Sequence, residues 1–359
     1  MQTYLVGGAV RDMLLGRKPR EYDYVFSGTL NDFLQQHPKA RKAGTQFQIA
    51  ILNGLEFAPL RGNTIHDDLL ARDFTINAIA LDEQGKIYAH PEALQDLVAG
   101  RLALAGPTAL EQDPVRIYRA ARMVSTIPDL HIATSLNEAI RRTAETFPLS
   151  SIAPERIGNE IHKLLNSSKP GNLLRTLQRA ACLTHWFQEF ETTLPDNTPL
   201  ADLEKTADLM DLTAGYPMAV WMALCHDLGS GVHSGGPDSD QSRRRARELC
   251  AQKFATRIKA TNKHILAAKI TACYFNDGVQ YMQLATDTRI RLLLRLSTAN
   301  LLHPFFKVIH VASGTDFTPL ALQQLKAILK VRLAPDEQGR GAESGKVLHM
   351  KRCAALDGL

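Results

Sequence analysis

Glu21 and Asp23 lie two residues apart at the start of a stretch, Tyr22–Phe26, that reads as a β-strand. Period-two strand geometry puts both carboxylates on one face. Carboxylates so placed hold hard divalent cations such as Mg²⁺ through oxygen ligands. A third carboxylate, Glu56, follows the Asn53-Gly54 turn, and a neighbouring strand would bring it to the same site. This arrangement suits two-metal phosphoryl transfer, in which one ion acidifies the attacking hydroxyl and the other neutralises the leaving pyrophosphate. On their own, two acids on a strand are more often its solvated face. Upstream, Gly7-Gly8 falls at a strand-to-helix turn. Bare backbone N–H groups there would cradle a triphosphate, although a lone glycine pair also fits an ordinary tight turn.

The elements that must position these groups are legible in part. Tyr4–Val6 reads as a strand, and a helix follows over Ala9–Leu15, stopped by Gly16. Gln48–Leu52 and Leu55–Ala58 flank Asn53-Gly54, the strongest short signal for a type I′ hairpin. A second hairpin is predicted around Asp82–Gly85. The first hundred residues therefore predict a small, largely antiparallel sheet backed by helices. From about residue 107 helical periodicity dominates. Arg116, Arg119 and Arg122 share one helical face, and Ile157, Ile161 and Leu164 form an apolar stripe. Ser230–Ser242 and Pro335–Gly345 read as loops. The fold class is α+β, with a mixed-sheet head over 1–106, an all-α neck over 107–170, and a helical body and tail over 171–359.

The 359 residues, 45% of them hydrophobic, suffice for two or three cored domains. No run of about 18 apolar residues predicts a membrane span. Met1–Gly8 does not read as a secretory leader. Cys182, Cys225, Cys250, Cys273 and Cys353 are scattered, which argues against a disulfide framework and fits a reducing cytoplasm. A net charge of +5 permits a nucleic-acid partner without demanding one.

The ordered strings Leu5–Asp12, Leu14-Leu15-Gly16 and Glu21-Tyr22-Asp23 resemble the bacterial class II tRNA nucleotidyltransferases, which comprise CCA-adding enzymes and bacterial poly(A) polymerases. Arg72–Ala78 is similar to that family's second motif. Asp113–Arg116 with Arg119 and Arg122 is similar to its nucleotide-selecting helix, and Glu155-Arg156 with Glu160 to the motif closing the neck. The resemblance covers roughly the first 165 residues and implies a polymerase-beta-like catalytic head. It implies Mg²⁺ on Glu21 and Asp23, and nucleotide contacts from Gly8, Arg11 and Arg72. Asp73 and Asn77, four apart on a predicted helix, would hold the ribose or order the site. Asp113 and Arg116 would act as a protein template, pairing with the exocyclic amine of cytosine or adenine. The implied partners are tRNA, CTP and ATP.

Several positions depart from the family's pattern. Glu21 replaces the usual Asp, Gln112 stands before Asp113 where Glu is usual, and His90-Pro91 replaces Asp-Pro. Family members that add full CCA carry a longer flexible loop between Glu56 and Arg72. Here only about Arg61–Asp68 remains, a feature of relatives that add CC alone. Leu224–Gly229, with His226-Asp227, resembles an HD phosphohydrolase motif. The helix near Glu204–Leu212 and the stretch Tyr274–Asp277 supply no further His, while His233 and His264 are poorly placed. This predicts a degenerate HD segment without metal, with His226-Asp227 as a buried hydrogen-bonded pair. Arg243–Arg245 with Arg247, and Lys346, Lys351 and Arg352, are candidate contacts to the tRNA backbone or plain solvated faces. Rival functions are poly(A) synthesis and RNA binding without catalysis.

Overall fold

A computed structural model describes residues 1–44, 48–191, 201–231 and 240–358. They form two compact units, Met1–Val124 with Asp129–Leu149 and Ser125–Pro128 with Ser150–Leu359. The division falls inside the stretch expected as the neck.

The first unit contains a seven-stranded sheet of β1 (Thr3–Val6), β2 (Asp23–Phe26), β3 (Arg41–Ala43), β4 (Ile49–Leu52), β5 (Leu55–Pro59), β6 (Ile79–Asp82) and β7 (Ile87–Ala89). Its spatial order is β3-β4-β5-β2-β1-β6-β7. All neighbours are antiparallel except β2 and β5, which run parallel. Asn53 (φ 53°) and Gly54 (φ 81°) are both left-handed, as a type I′ turn requires. The second expected hairpin closes through the Asp82 N–H to the Lys86 carbonyl at 3.0 Å.

The helices of this unit are α1 (Gly8–Leu14), α2 (Leu30–Gln36), α3 (Ile65–Leu70), α4 (Ala93–Ala99), α5 (Ala109–Gln112), α6 (Arg116–Thr126) and α7 (Thr134–Thr146), with α6 running two residues past the unit's edge. Alternation assigns the sheet two faces. Tyr4, Val6, Val25 and Ala80 pack with Ile65 and Leu69 of α3. On the opposite face Phe26 packs with Leu30 and Phe33 of α2, and Ile79 with Val10 of α1.

Three expectations change here. Half of Arg61–Asp68 is helix rather than loop, because Thr64 and Asp67 form a capping box that starts α3. A short strand, β9 (His131–Ile132), pairing in parallel with β8 (Arg101–Leu102) of the head, appears in the region expected to be purely helical. Two residues per strand leave no periodicity to detect. Asp73 precedes a 3₁₀ turn, Thr75–Asn77, and is not on an α-helix.

In the second unit, Ile157, Ile161 and Leu164 bury the inner face of α8 (Pro154–Leu164). Further helices follow to Asp357. The expected loop Ser230–Ser242 lies largely outside the described residues, and Asp240 already begins a helix. The expected loop Pro335–Gly345 holds a 3₁₀ turn, Pro335–Glu337, and the start of a helix at Ala342. Among the described residues no helix is long and apolar enough to cross a membrane.

Candidate active site

Asp23 opens β2, and its register partner across the parallel ladder is Glu56 of β5. Paired residues in register point to the same side of a sheet. Asp23 alternates with Val25, and Glu56 with Ala58, both of which pack toward α3. The two carboxylates therefore stand side by side on the α3 face, and both are exposed. Glu21 lies two residues ahead of the ladder, exposed and outside the strand. On its other side Asp23 pairs with Val6, directly before Gly7. The sheet thus brings the acidic pair and the glycine turn together.

Gly7 has φ 71°, in the left-handed region. A Cβ there would sit 3.0 Å from Nη1 of Arg72. That guanidinium is held from behind by Asp68, whose Oδ2 accepts from Nε at 2.9 Å and from Nη2 at 2.8 Å. Asp68 is fully buried and also accepts the Arg61 backbone N–H at 3.1 Å. Reading the sequence missed Asp68. Its signal was the i, i+4 spacing to Arg72, which lies just past the end of α3, hidden because the segment read as loop.

A second network lies beneath the turn. Arg11 donates from Nη1 to Asn77 Oδ1 at 2.6 Å and lies against Asp12 at 2.7 Å. Asn77 donates to Asp73 Oδ1 at 3.1 Å. Asp73 also accepts from Arg119 Nη1 at 3.0 Å and from the Phe74 N–H at 2.8 Å. Burial alone would raise the pKa of Asp73, but the charge of Arg119 and the amide of Asn77 bring it below the usual carboxylate value. Thr75 pins the 3₁₀ turn by donating to buried Asp96 at 2.6 Å. Asp73 and Asn77 are hydrogen-bonded to each other across that turn.

Arg116 is buried rather than presented on an open face. It donates from Nη1 to the Ala109 carbonyl at 3.1 Å and from Nη2 to that of Ala71 at 3.5 Å. Among the described residues its Nε has no hydrogen-bond partner, and Asp113 Oδ2 stands 4.0 Å away. Burial pushes its pKa below the ordinary guanidinium value, against the pull of Asp73 and Asp113. Arg119 and Arg122 are half-buried along the same helix, and Gly8 begins α1 with its Cα facing the Arg11 guanidinium.

Among the described residues no three His, Cys, Asp or Glu side chains group closely enough to make an all-protein metal site. Mg²⁺ does not need one. It binds through one or two carboxylates, with waters and substrate phosphates completing its shell. The all-oxygen donors Asp23 and Glu56, with Glu21 just ahead and Gly7 leaving room for phosphate, fit that requirement.

In the second unit His226 and Asp227 bond to different partners, not to each other. His226 Nδ1 meets the Ala223 carbonyl at 2.8 Å, and Asp227 accepts the Asp202 N–H at 2.6 Å. His233 lies outside the described residues. Arg244, in the basic run, pairs with Asp277, and Lys351 pairs with Glu337.

Residues 3–57 match the family described as the poly A polymerase head domain. Residues 129–194 match one described as a probable RNA and SrmB-binding site of polymerase A. The chain is similar to a multifunctional CCA protein of Xanthomonas campestris pv. campestris, with 32% identity over 266 residues. That match takes in 65% of this chain and 64% of the relative, so it spans less than two thirds of the relative's length. A multifunctional CCA protein of Ectopseudomonas mendocina is 27% identical over 99% of this chain and 98% of its own. Among solved structures, the Bacillus stearothermophilus CCA-adding enzyme in complex with CTP shares the fold with a TM-score of 0.70 at 21% identity, covering 99% of this chain and 89% of that one.

Proposed function

Because the chain belongs to the family of class II tRNA nucleotidyltransferases, we propose that it adds C and/or A nucleotides to the 3′ end of tRNA in the cytoplasm, taking them from CTP and ATP. The observation that carries this reading is the register of Asp23 against Glu56, beside the Gly7 turn. In the reaction the tRNA 3′-hydroxyl oxygen bonds to the α-phosphorus, and the bond from that phosphorus to the departing pyrophosphate breaks. Bound Mg²⁺ supplies charge neutralisation at the triphosphate. Glu21 and Asp23 would hold it through oxygen, with Glu56 alongside. Arg72, braced by Asp68, and Arg11, braced by Asp12 and Asn77, offer permanent cations to the phosphates. Asp113 and Arg116 read the base, Asp accepting from the exocyclic amine and Arg donating to ring acceptors. Catalysis is then mainly positioning and charge neutralisation, with no covalent enzyme intermediate.

One observation favours a second reading, CC addition only. The short connection before Arg72 is pinned. Asp67 accepts the N–H groups of Asn63 at 3.1 Å and Thr64 at 2.9 Å, and a helix follows at once. A segment so held lacks the freedom of the long loop that accompanies the switch from CTP to ATP. Incubation of trimmed tRNA with CTP and ATP separately tests both readings. Two C residues and no A establish CC addition, and a terminal A on a CC end removes it. Long A tails on generic RNA would instead indicate a poly(A) polymerase. Binding of tRNA with no incorporation in Mg²⁺ would reject the enzyme altogether.

A further inference from the structure

The second unit contains a cavity of about 580 Å³ unrelated to the carboxylates of the first. One wall is the helix Leu302–Ser313, which presents His303, Lys307 and His310 at i, i+4 and i+7, a single helical face. Lys263, at the start of the helix Asn262–Val279, and Tyr216 complete the rim. Tyr216 is 55% exposed, and Lys307 Nζ sits 4.7 Å from its ring centroid. The sole carboxylate in the lining is Asp316, which accepts the Thr318 N–H at 2.9 Å and is held below the ordinary carboxylate value by its hydrogen bonding with Thr318, with smaller help from the charges of His310 and Lys307, so the cations of the lining outnumber it. Neither Lys263 nor Lys307 makes an ion pair among the described residues. The basic run picked out in the sequence differs, since Arg244 there is neutralised by Asp277.

Unpaired ammonium groups cost nothing in water, but a concave surface that gathers them repels itself until an anion enters. An exposed aromatic ring at the rim adds a flat apolar surface of the kind on which nucleobases stack. We propose that this cavity is an RNA contact site, in which Lys263 and Lys307 hold backbone phosphate and Tyr216 stacks on a base or ribose. This inference rests on the reading of the chain as a tRNA-extending enzyme and adds where the second unit grips the RNA.

The test measures the affinity of the full chain for tRNA lacking its 3′ CCA, across a range of salt concentrations. Wild type is compared with a Lys263→Ala/Lys307→Ala double variant, its Lys→Arg counterpart and Tyr216→Ala. Tyr216 and Lys263 are exposed and Lys307 is partly buried, so thermal melts check that each variant is folded. The expected result is a loss of about tenfold or more in the double Ala variant, with a salt slope shallower by about two, one per phosphate contact. The Arg variant restores both. Tyr216→Ala weakens binding with the slope unchanged. Equal affinity and slope in the double Ala variant overturns the proposal. So does a result in which the lysines govern only the binding of inorganic phosphate, which would make the cavity a small-anion site. Incorporation of CTP by wild type is read separately. Its absence would reject the enzymatic reading, while the effect of the lysines on RNA binding would still stand or fall by itself.

Discussion

Asp68 grasps Arg72 along one edge, with a single carboxylate oxygen accepting from both Nε and Nη2, and leaves Nη1 directed at the Gly7 turn. A buried acid thereby fixes the heading of a cation whose free edge faces the phosphate cradle. Asp68→Asn keeps the shape and removes the charge. Hydrogen bonds to charged groups contribute about 1.5–3 kcal/mol, so KM for CTP should rise about ten- to a hundredfold. Asp68→Glu should recover part of this. Steady-state kinetics at saturating tRNA provide the check, and an unchanged KM with a lowered melting temperature would make Asp68 merely structural.

Gly7→Ala tests the same junction from the other side. Gly7 combines φ 71° with ψ −130°, outside the left-handed helical basin, which costs a non-glycine residue about 1–3 kcal/mol. The new Cβ would also press on Arg72 Nη1. Nucleotide affinity should therefore fall further than stability does, as read by CTP titration alongside thermal unfolding. Equal losses in both would mean that the methyl group disturbs only the backbone.

Asp23→Asn should abolish incorporation while leaving the melting temperature nearly unchanged, because exposed substitutions away from the core cost within about 0.5 kcal/mol. Glu21→Asp should retain or improve turnover, since Mg²⁺ favours a tight shell that the shorter side chain suits. Loss of all incorporation in a folded Glu21→Asp protein would remove Glu21 from the ligand set. Chelation of Mg²⁺ should stop the parent enzyme reversibly.

Arg119→Met exposes the electrostatics beneath the turn. Asp73 is buried, yet Arg119 and Asn77 hold its pKa below the ordinary carboxylate value. The stability it contributes is therefore present above the unfolded value of about 3.9 and is lost as pH falls through the lower folded value. Without Arg119 burial dominates and the folded pKa rises, which reverses the sign. Because the Arg119 side chain is 36% exposed, solvent screens part of the loss, and the variant should be about 1–2 kcal/mol less stable at neutral pH, below the cost of breaking a fully buried pair. The gap should narrow as acid protonates Asp73. Melts from neutral to acidic pH decide this, and a gap independent of pH would contradict it.

Much of the site could be read in the sequence because its cues are local. Asn53-Gly54 announced its hairpin, and Glu21 and Asp23 were visible as a spaced pair. Longer-range features carried no such mark. The parallel pairing that seats Glu56 beside Asp23 joins residues 33 positions apart across a crossover. Asp68 was masked by polar neighbours that resemble a loop, although Thr64 and Asp67 in fact cap a helix there. Arg116 read as one of three arginines sharing a helical face, and nothing in the sequence marked that the carbonyls of Ala109 and Ala71 draw it inward. Lys263 and Lys307 converge only through packing of separate helices.

The Asn53-Gly54 turn has one more consequence. Glu56 faces the same side as Asp23 because two left-handed residues, and no more, separate Leu52 from Leu55. A single residue inserted at that turn, if the turn stayed two residues long and β5 slipped by one against β4, would move Glu56 to the opposite side of the sheet and set Leu55 in its place. The catalytic carboxylates would all remain in the sequence, yet the chemistry would be disarmed by a change of parity in a surface loop.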